Sequence, residues 1–191
     1  MKIFIVENNQ RDSSEEETFN WYLLADSAVT NTGKPFYVPD GYGDVSAKVG
    51  IAVRINRLGK SVAEKFAGRY YYEMAPVLNF RLKDLEMELK GKGLSPDPSR
   101  NFDRALFVGD FRPFDETETF TLTKNGEKVA VFEFGSLKRP VSRILEEISK
   151  LNTLKMGDLV VPDLAGDIKV SEGDLLEIFS NEGEAFAVRV K

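Results

Sequence analysis

The chain has 191 residues, 42% hydrophobic and 30% charged, with a formal net charge of −5, which is the make-up of an ordinary globular protein with one sizeable core. It contains no cysteine and no histidine. That excludes disulfides, thiolate and imidazole metal sites, and serine–histidine or cysteine–histidine catalysis, leaving acid–base work to Asp, Glu, Lys or Tyr. The acidic balance speaks against a broad nucleic-acid-binding face, no apolar run is long enough to span a membrane, and the apolar start Ile3–Val6 is too short for a signal-peptide core, so a cytoplasmic protein is expected.

In chain order, Lys2 to Val6 reads as a short strand and the polar, acidic stretch Asn8 to Glu17 as a loop or loose helix. Asn20 to Val29 reads as a second strand, followed by an extended segment Gly33–Pro39 and a turn Asp40–Asp44. Val45 to Ile55 is the clearest strand. Val45, Ala47, Val49, Ile51, Val53 and Ile55 alternate on one face, with Ser46, Lys48, Gly50, Ala52 and Arg54 on the other. After a turn at Asn56–Lys60, Ser61 and Glu64 match a capping box and predict a helix to about Tyr71. Pro76 should interrupt any continuous helix, and Val77 to Leu89 reads as strand then helix with no clear boundary.

Gly91 to Arg100, rich in Gly, Pro and Ser, predicts a mobile loop. Phe107 to Phe114 predicts a sheet strand. Thr117–Thr123 and Lys128–Phe134 flank an Asn125-Gly126 hairpin turn. Pro140 to Leu151 predicts an amphipathic helix with Val141, Ile144, Leu145 and Ile148 on its stripe. Leu159–Val161, Asp174–Ser180 and Ala185–Val190 are late strands, the last two joined by a turn at Asn181–Glu184. No repeat or linker divides the chain, so one domain over residues 1–191 is expected, β-rich α+β with a few packing helices.

Several segments in order resemble the fumarylacetoacetate hydrolase family. They are 25–39 (ADSAVTNTGKPFYVP), 54–72 (RINRLGKSVAEKFAGRYYY), 79–86 (NFRLKDLE) and 99–103 (SRNFD), with Asn125-Gly126-Glu127, Gly157-Asp158 and Gly173-Asp174. The resemblance implies the family's mixed β-sheet or β-roll fold. It also implies a homodimer, and a magnesium or manganese ion that holds a 2-oxo acid and stabilises its enolate. Two glutamates spaced i, i+2 and one aspartate hold that metal in the family. Counting from the matched segments, these positions fall on Lys48, Gly50 and Asn79. An ammonium, a missing side chain and a neutral amide replace three carboxylates, so no metal ligand and no cofactor are expected.

Other family positions are altered too. Asn9 and Glu16 match the family's N-terminal loop, but its tyrosine and histidine are absent. The lysine of the Lys-Gly-Phe-Asp loop is Arg100, followed by Asp103; the arginine before the helix is Lys83; and Val161–Ala165 replaces a Thr-Gly-Thr-Pro run. Glu16 and Arg100 are therefore the candidate catalytic residues, and Lys48, Lys83, Asn79 and Asp103 the candidate substrate-binding ones. The first reading is a family member that has lost divalent-metal-dependent catalysis and binds a small carboxylic acid or a protein partner. The alternative is an active hydrolase, isomerase or decarboxylase of 2-oxo or 1,3-dicarbonyl acids that uses lysine and arginine in place of the metal, with Lys48 as a charge substitute or, if buried, an imine-forming amine; the simpler reading of Lys48, and the favoured one, is a salt bridge within a remodelled pocket or a solvent-facing side chain, and a third class is a structural or interaction protein whose pocket has closed. No nucleic acid or membrane is expected as a partner.

Overall fold

The computed structural model describes residues 1–7, 9, 19–31 and 33–191. Its strands are β1 (Ile3–Glu7), β2 (Asn20–Leu24), β3 (Val29–Asn31), β4 (Val45–Ile55), β5 (Tyr71–Leu82), β6 (Leu106–Val108), β7 (Arg112–Pro113), β8 (Thr119–Lys124), β9 (Glu127–Glu133), β10 (Leu159–Pro162), β11 (Ile168–Val170), β12 (Leu175–Ser180) and β13 (Gly183–Arg189). The helices are α1 (Glu64–Ala67), α2 (Lys83–Gly91) and α3 (Val141–Leu151). A mixed sheet runs β2-β1-β10-β4-β5-β6-β3, with β11 beside β4 and β7 beside β5; a second, antiparallel sheet runs β13-β12-β8-β9. The protein is β-rich with few helices, as its composition pattern implied.

The long β4–β5 ladder is the spine, pairing Val45 with Leu82 through Ile55 with Tyr71. The alternating face of β4, from Val45 to Ile55, lies in one core shared with Phe80 of β5, Ile144 and Ile148 of α3, and Phe120, Ile178 and Val188 of the second sheet. On the opposite face the ladder is apolar only in part. Ala52, Ala75 and Val77 pack with Ile3, Ile5, Leu24 and Val161. Beyond them, the ladder turns polar at Lys48, Asn79, Ser46 and Arg81. Among the described residues no helix is long and apolar enough to cross a membrane.

Four expectations change. The helix expected from Ser61 to Tyr71 is one turn, Glu64–Ala67, and the capping box does not form. Ser61 takes a positive φ of 49°, and the Val62 and Glu64 amides donate instead to Ser149 Oγ and Glu146 Oε1 of α3. Tyr71 pairs with Ile55 and opens β5, where an aromatic side chain suits a strand. Pro76 does stop helix formation, yet the strand runs through it. Its carbonyl accepts from Gly109 N between β6 and β7, so its missing N–H faces a break in the neighbouring strand. The segment expected to be a mobile loop holds the end of α2 and a 3-10 turn at Asp97–Ser99, with Ser99 buried. The strand expected over Asn20–Val29 is interrupted by a 3-10 turn at Asp26–Ala28, and that over Phe107–Phe114 splits into β6 and β7.

Candidate functional site

A strand's side chains alternate between faces, and that parity builds the site. Ile3, Ile5 and Glu7 of β1 share a face with Asn20 and Tyr22 of β2, since Glu7 pairs with Asn20 and Ile5 with Tyr22. Leu159 and Val161 continue that face on β10, and Asp163 follows at the same parity, bridged to Gly50. Lys48 pairs directly with Asn79, and Ser46 with Arg81. Four strands and the end of a fifth thus project charged or polar groups to one spot. The apolar stretches between those groups are what carry them inward.

The groups interlock. Lys48 Nζ lies 3.1 Å from Asp163 Oδ2, with the side chains 13% and 2% exposed. Arg81 NH2 reaches Glu7 Oε1 at 2.9 Å and Asp163 Oδ2 at 3.5 Å, and donates to the Tyr22 hydroxyl at 3.0 Å. Asn79 Nδ2 donates to the same hydroxyl at 3.2 Å. The Arg100 guanidinium stacks 3.7 Å from the centre of the Tyr22 ring and bonds Glu7 Oε2 at 3.3 Å, while Asn20 Nδ2 donates to that oxygen at 3.0 Å. At the far end, Lys83 Nζ meets Asp167 Oδ2 at 2.6 Å and Glu86 Oε2 at 3.5 Å. Among the described residues, Asn79 Oδ1 and Arg81 Nε are buried without a hydrogen-bond partner, two polar atoms whose burial is costly unless a ligand or water meets them.

Burial pushes the Asp163 carboxyl above the ordinary range, against the opposing pull of Lys48 and Arg81. Burial likewise pushes the Tyr22 phenol up, so it stays neutral. For Arg81, burial works against the charge, but Asp163, Tyr22 and Glu7 more than offset it and the guanidinium is held. Burial would raise Asp167, yet its bond to Lys83 and the charges of Lys48, Lys83 and Arg81 bring it below the ordinary range.

Of the residues singled out in the sequence, Lys48, Asn79 and Arg100 meet in this cluster, and Lys83 joins it through Asp167. Asp103 does not: it is exposed in a turn, with no hydrogen bond or ion pair to the cluster among the described residues. Glu16 lies outside the described residues. Asn9 is buried as a clamp, its side chain bonding the backbone of Arg139. Glu7, Tyr22, Arg81 and Asp163 were missed. The readable signal was a charged residue on the inward parity of an apolar strand, as Arg81 is in Val77-Leu-Asn-Phe-Arg-Leu82.

These residues do not fit a divalent cation. Lys48 offers only donors, and the Asn79 amide donates to Tyr22. Gly50 offers no ligand and has no room for one, because a Cβ there would stand 2.6 Å from the Pro162 carbonyl oxygen. The nearby carboxylates Glu7 and Asp163 are already engaged by cations. Among the described residues no group of three acidic side chains could hold a metal.

The chain is 24% identical over 178 residues to the oxaloacetate tautomerase YcgM of Escherichia coli (strain K12), covering 88% of this chain and 80% of that one. It is 27% identical over 164 residues to the mitochondrial oxaloacetate tautomerase FAHD1 of Rattus norvegicus, covering 82% and 73%. In fold it is similar to a fumarylacetoacetate hydrolase family protein of Yersinia pestis CO92, with TM-score 0.90 and 22% identity over 100% of this chain and 92% of that one. It is equally similar to fumarylpyruvate hydrolase of Pseudomonas aeruginosa, solved with Mn2+ and pyruvate, with TM-score 0.90 and 21% identity over 100% and 89%. The family model described as fumarylacetoacetate (FAA) hydrolase C-terminal matches residues 4–178, and the chain belongs to that family.

Proposed function

We propose that this protein is an enzyme acting on small 2-oxo or 1,3-dicarbonyl acids, with Lys48, Arg81 and Arg100 taking the charge role that a divalent cation has elsewhere in the family. The observation that carries this is the convergence on one face of three largely buried cations, Lys48, Arg81 and Arg100, whose side chains are 13%, 3% and 11% exposed, with Arg81 Nε left without a hydrogen-bond partner among the described residues. Glu7, Asp163 and Asp97 balance these cations inside the fold, so an incoming carboxylate competes with them for the same donors. Enolisation of a 2-oxo acid puts charge on its carbonyl oxygen, and fixed donors in a water-poor site stabilise that charge. The names of the relatives, oxaloacetate tautomerases, and the pyruvate bound to one structural neighbour support a short 2-oxo acid.

A second reading is binding of the same acid, or of a protein partner, without turnover. It is favoured by one observation: Asp163 and Arg81 are already committed to internal ion pairs. Oxaloacetate enol–keto conversion and decarboxylation, followed in excess chelator, separate the two. Turnover above buffer that Lys48→Ala abolishes supports the enzyme. A melting temperature raised by oxalate with no turnover supports the binder, and no response of either kind sinks both. A cytoplasmic homodimer is part of the proposal, resting on the family resemblance and the cysteine-free composition, and sedimentation tests the dimer.

A further inference from the structure

We propose that Lys48 reacts covalently with the ketone of a 2-oxo acid to form an imine at its Nζ, an inference that rests on the acid-binding reading above. Three features of the site point there. Lys48 sits mid-strand on β4 with a side chain that is mostly enclosed but still 13% exposed. Its Nζ lies 3.1 Å from Asp163 Oδ2, an oxygen able to take the ammonium proton. Arg81 shares the Asp163 oxygen with it, 3.5 Å away, and is placed to hold the carboxylate next to the ketone.

The second lysine of the patch is a contrast within the same site. Lys83 is 30% exposed and bonds Asp167 at 2.6 Å. Burial would lower its pKa, but Asp167 and Glu86 hold its amine above the ordinary range and hence charged. Lys48 instead faces a fully buried carboxyl that burial has made more basic. Proton transfer within the Lys48–Asp163 pair leaves a neutral amine and a neutral acid, and a neutral amine is the nucleophile.

The step balances without a co-reactant. Asp163 takes one ammonium proton. Nζ attacks the ketone carbon, a C–N bond forms, and the C=O bond opens to a hydroxyl after an N–H proton passes to oxygen. Asp163 returns its proton to that hydroxyl, which leaves as water, and a protonated imine remains beside the Asp163 carboxylate. The iminium nitrogen then serves as electron sink. Loss of a proton to the Asp163 carboxylate, or of CO2, at the neighbouring carbon sends an electron pair through the new C=C bond to nitrogen; a proton from Asp163 or water returns to carbon to restore the iminium, and water then adds to it, releasing the product and the amine.

Borohydride reduction of the full chain in the presence of pyruvate, in excess chelator, tests this directly. Intact mass and peptide mapping are expected to show a single pyruvate-derived adduct on Lys48, suppressed by excess oxalate, which has no ketone, and lost in Lys48→Arg. No adduct, or adducts spread over surface lysines and indifferent to oxalate, overturns the inference. Mapping the unmodified sequence keeps the result independent of whether a variant folds. If oxalate raises the melting temperature but pyruvate is not trapped, the covalent step falls and acid binding stands. If oxalate has no effect and no adduct forms, both fall.

Discussion

Lys48→Met removes the cation nearest Asp163 while keeping the length of the side chain. The Asp163 carboxylate is 2% exposed and, among the described residues, then keeps only the Arg81 ion pair, at 3.5 Å. Breaking a buried pair by removing one partner costs about 3–5 kcal/mol. The remaining Arg81 contact puts the expectation at the low end, about 3 kcal/mol, a large share of a typical stability of roughly 5–15 kcal/mol. The pH dependence has a definite sign. Burial already holds the folded Asp163 carboxyl above the ordinary range, and Lys48 is the largest influence pulling it back. A carboxyl with a raised folded pKa costs stability above that pKa, and the cost fades as pH falls toward the unfolded value. The deficit of Lys48→Met is therefore expected to be greatest near pH 8 and to shrink on acidification. Adding Asp163→Asn removes the orphaned charge and should recover most of the loss. Urea titrations of the wild type, both single variants (Lys48→Met and Asp163→Asn) and the double variant at two pH values read this as shifts in midpoint at constant m. A Lys48→Met cost under about 0.5 kcal/mol, the same at both pH values, would mean a solvent-screened pair and would refute the buried cluster.

Gly50→Ala sets a Cβ 2.6 Å from the Pro162 carbonyl oxygen and is expected to cost about 1–3 kcal/mol by forcing β4 and β10 apart; a neutral result in a thermal melt would show that β10 yields freely. Tyr22→Phe strips a buried hydroxyl from two donors, Arg81 NH2 and Asn79 Nδ2. A loss of about 2 kcal/mol, or a melting temperature lower by roughly 4–8 °C, is expected. Asn125→Ala forces an alanine to the hairpin's φ of 54° and deletes bonds to Asp174 and the Leu175 amide. About 2 kcal/mol of destabilisation follows from the two effects together, measured by urea unfolding.

Local chemistry made some elements readable and tertiary pairing decided others. The alternation of β4 marks both of its ends. Asn125 and Gly126, both at positive φ, form the hairpin turn their sequence requires, and the stripe of α3 is buried as spaced. The stretch from Ser61 to Tyr71 misled because its capping signals are local, while Tyr71 is drawn into β5 by pairing with Ile55. β11 is three residues beside β4, too short for any periodicity. The site divides the same way. Lys48 and Asn79 were legible from register and do pair. Glu7, Tyr22 and Asp163 lie far apart in sequence and meet only because β1, β2 and β10 are neighbours.

The proposed function requires that fixed cations, in place of a divalent ion, hold a small acid at Lys48, Arg81 and Arg100. Calorimetric titration of the metal-stripped protein with oxalate tests it most directly, run in chelator and again with magnesium or manganese. The expected result is binding in chelator that added metal leaves unchanged and that Lys48→Ala weakens. Binding that appears only when the metal is supplied would contradict the account.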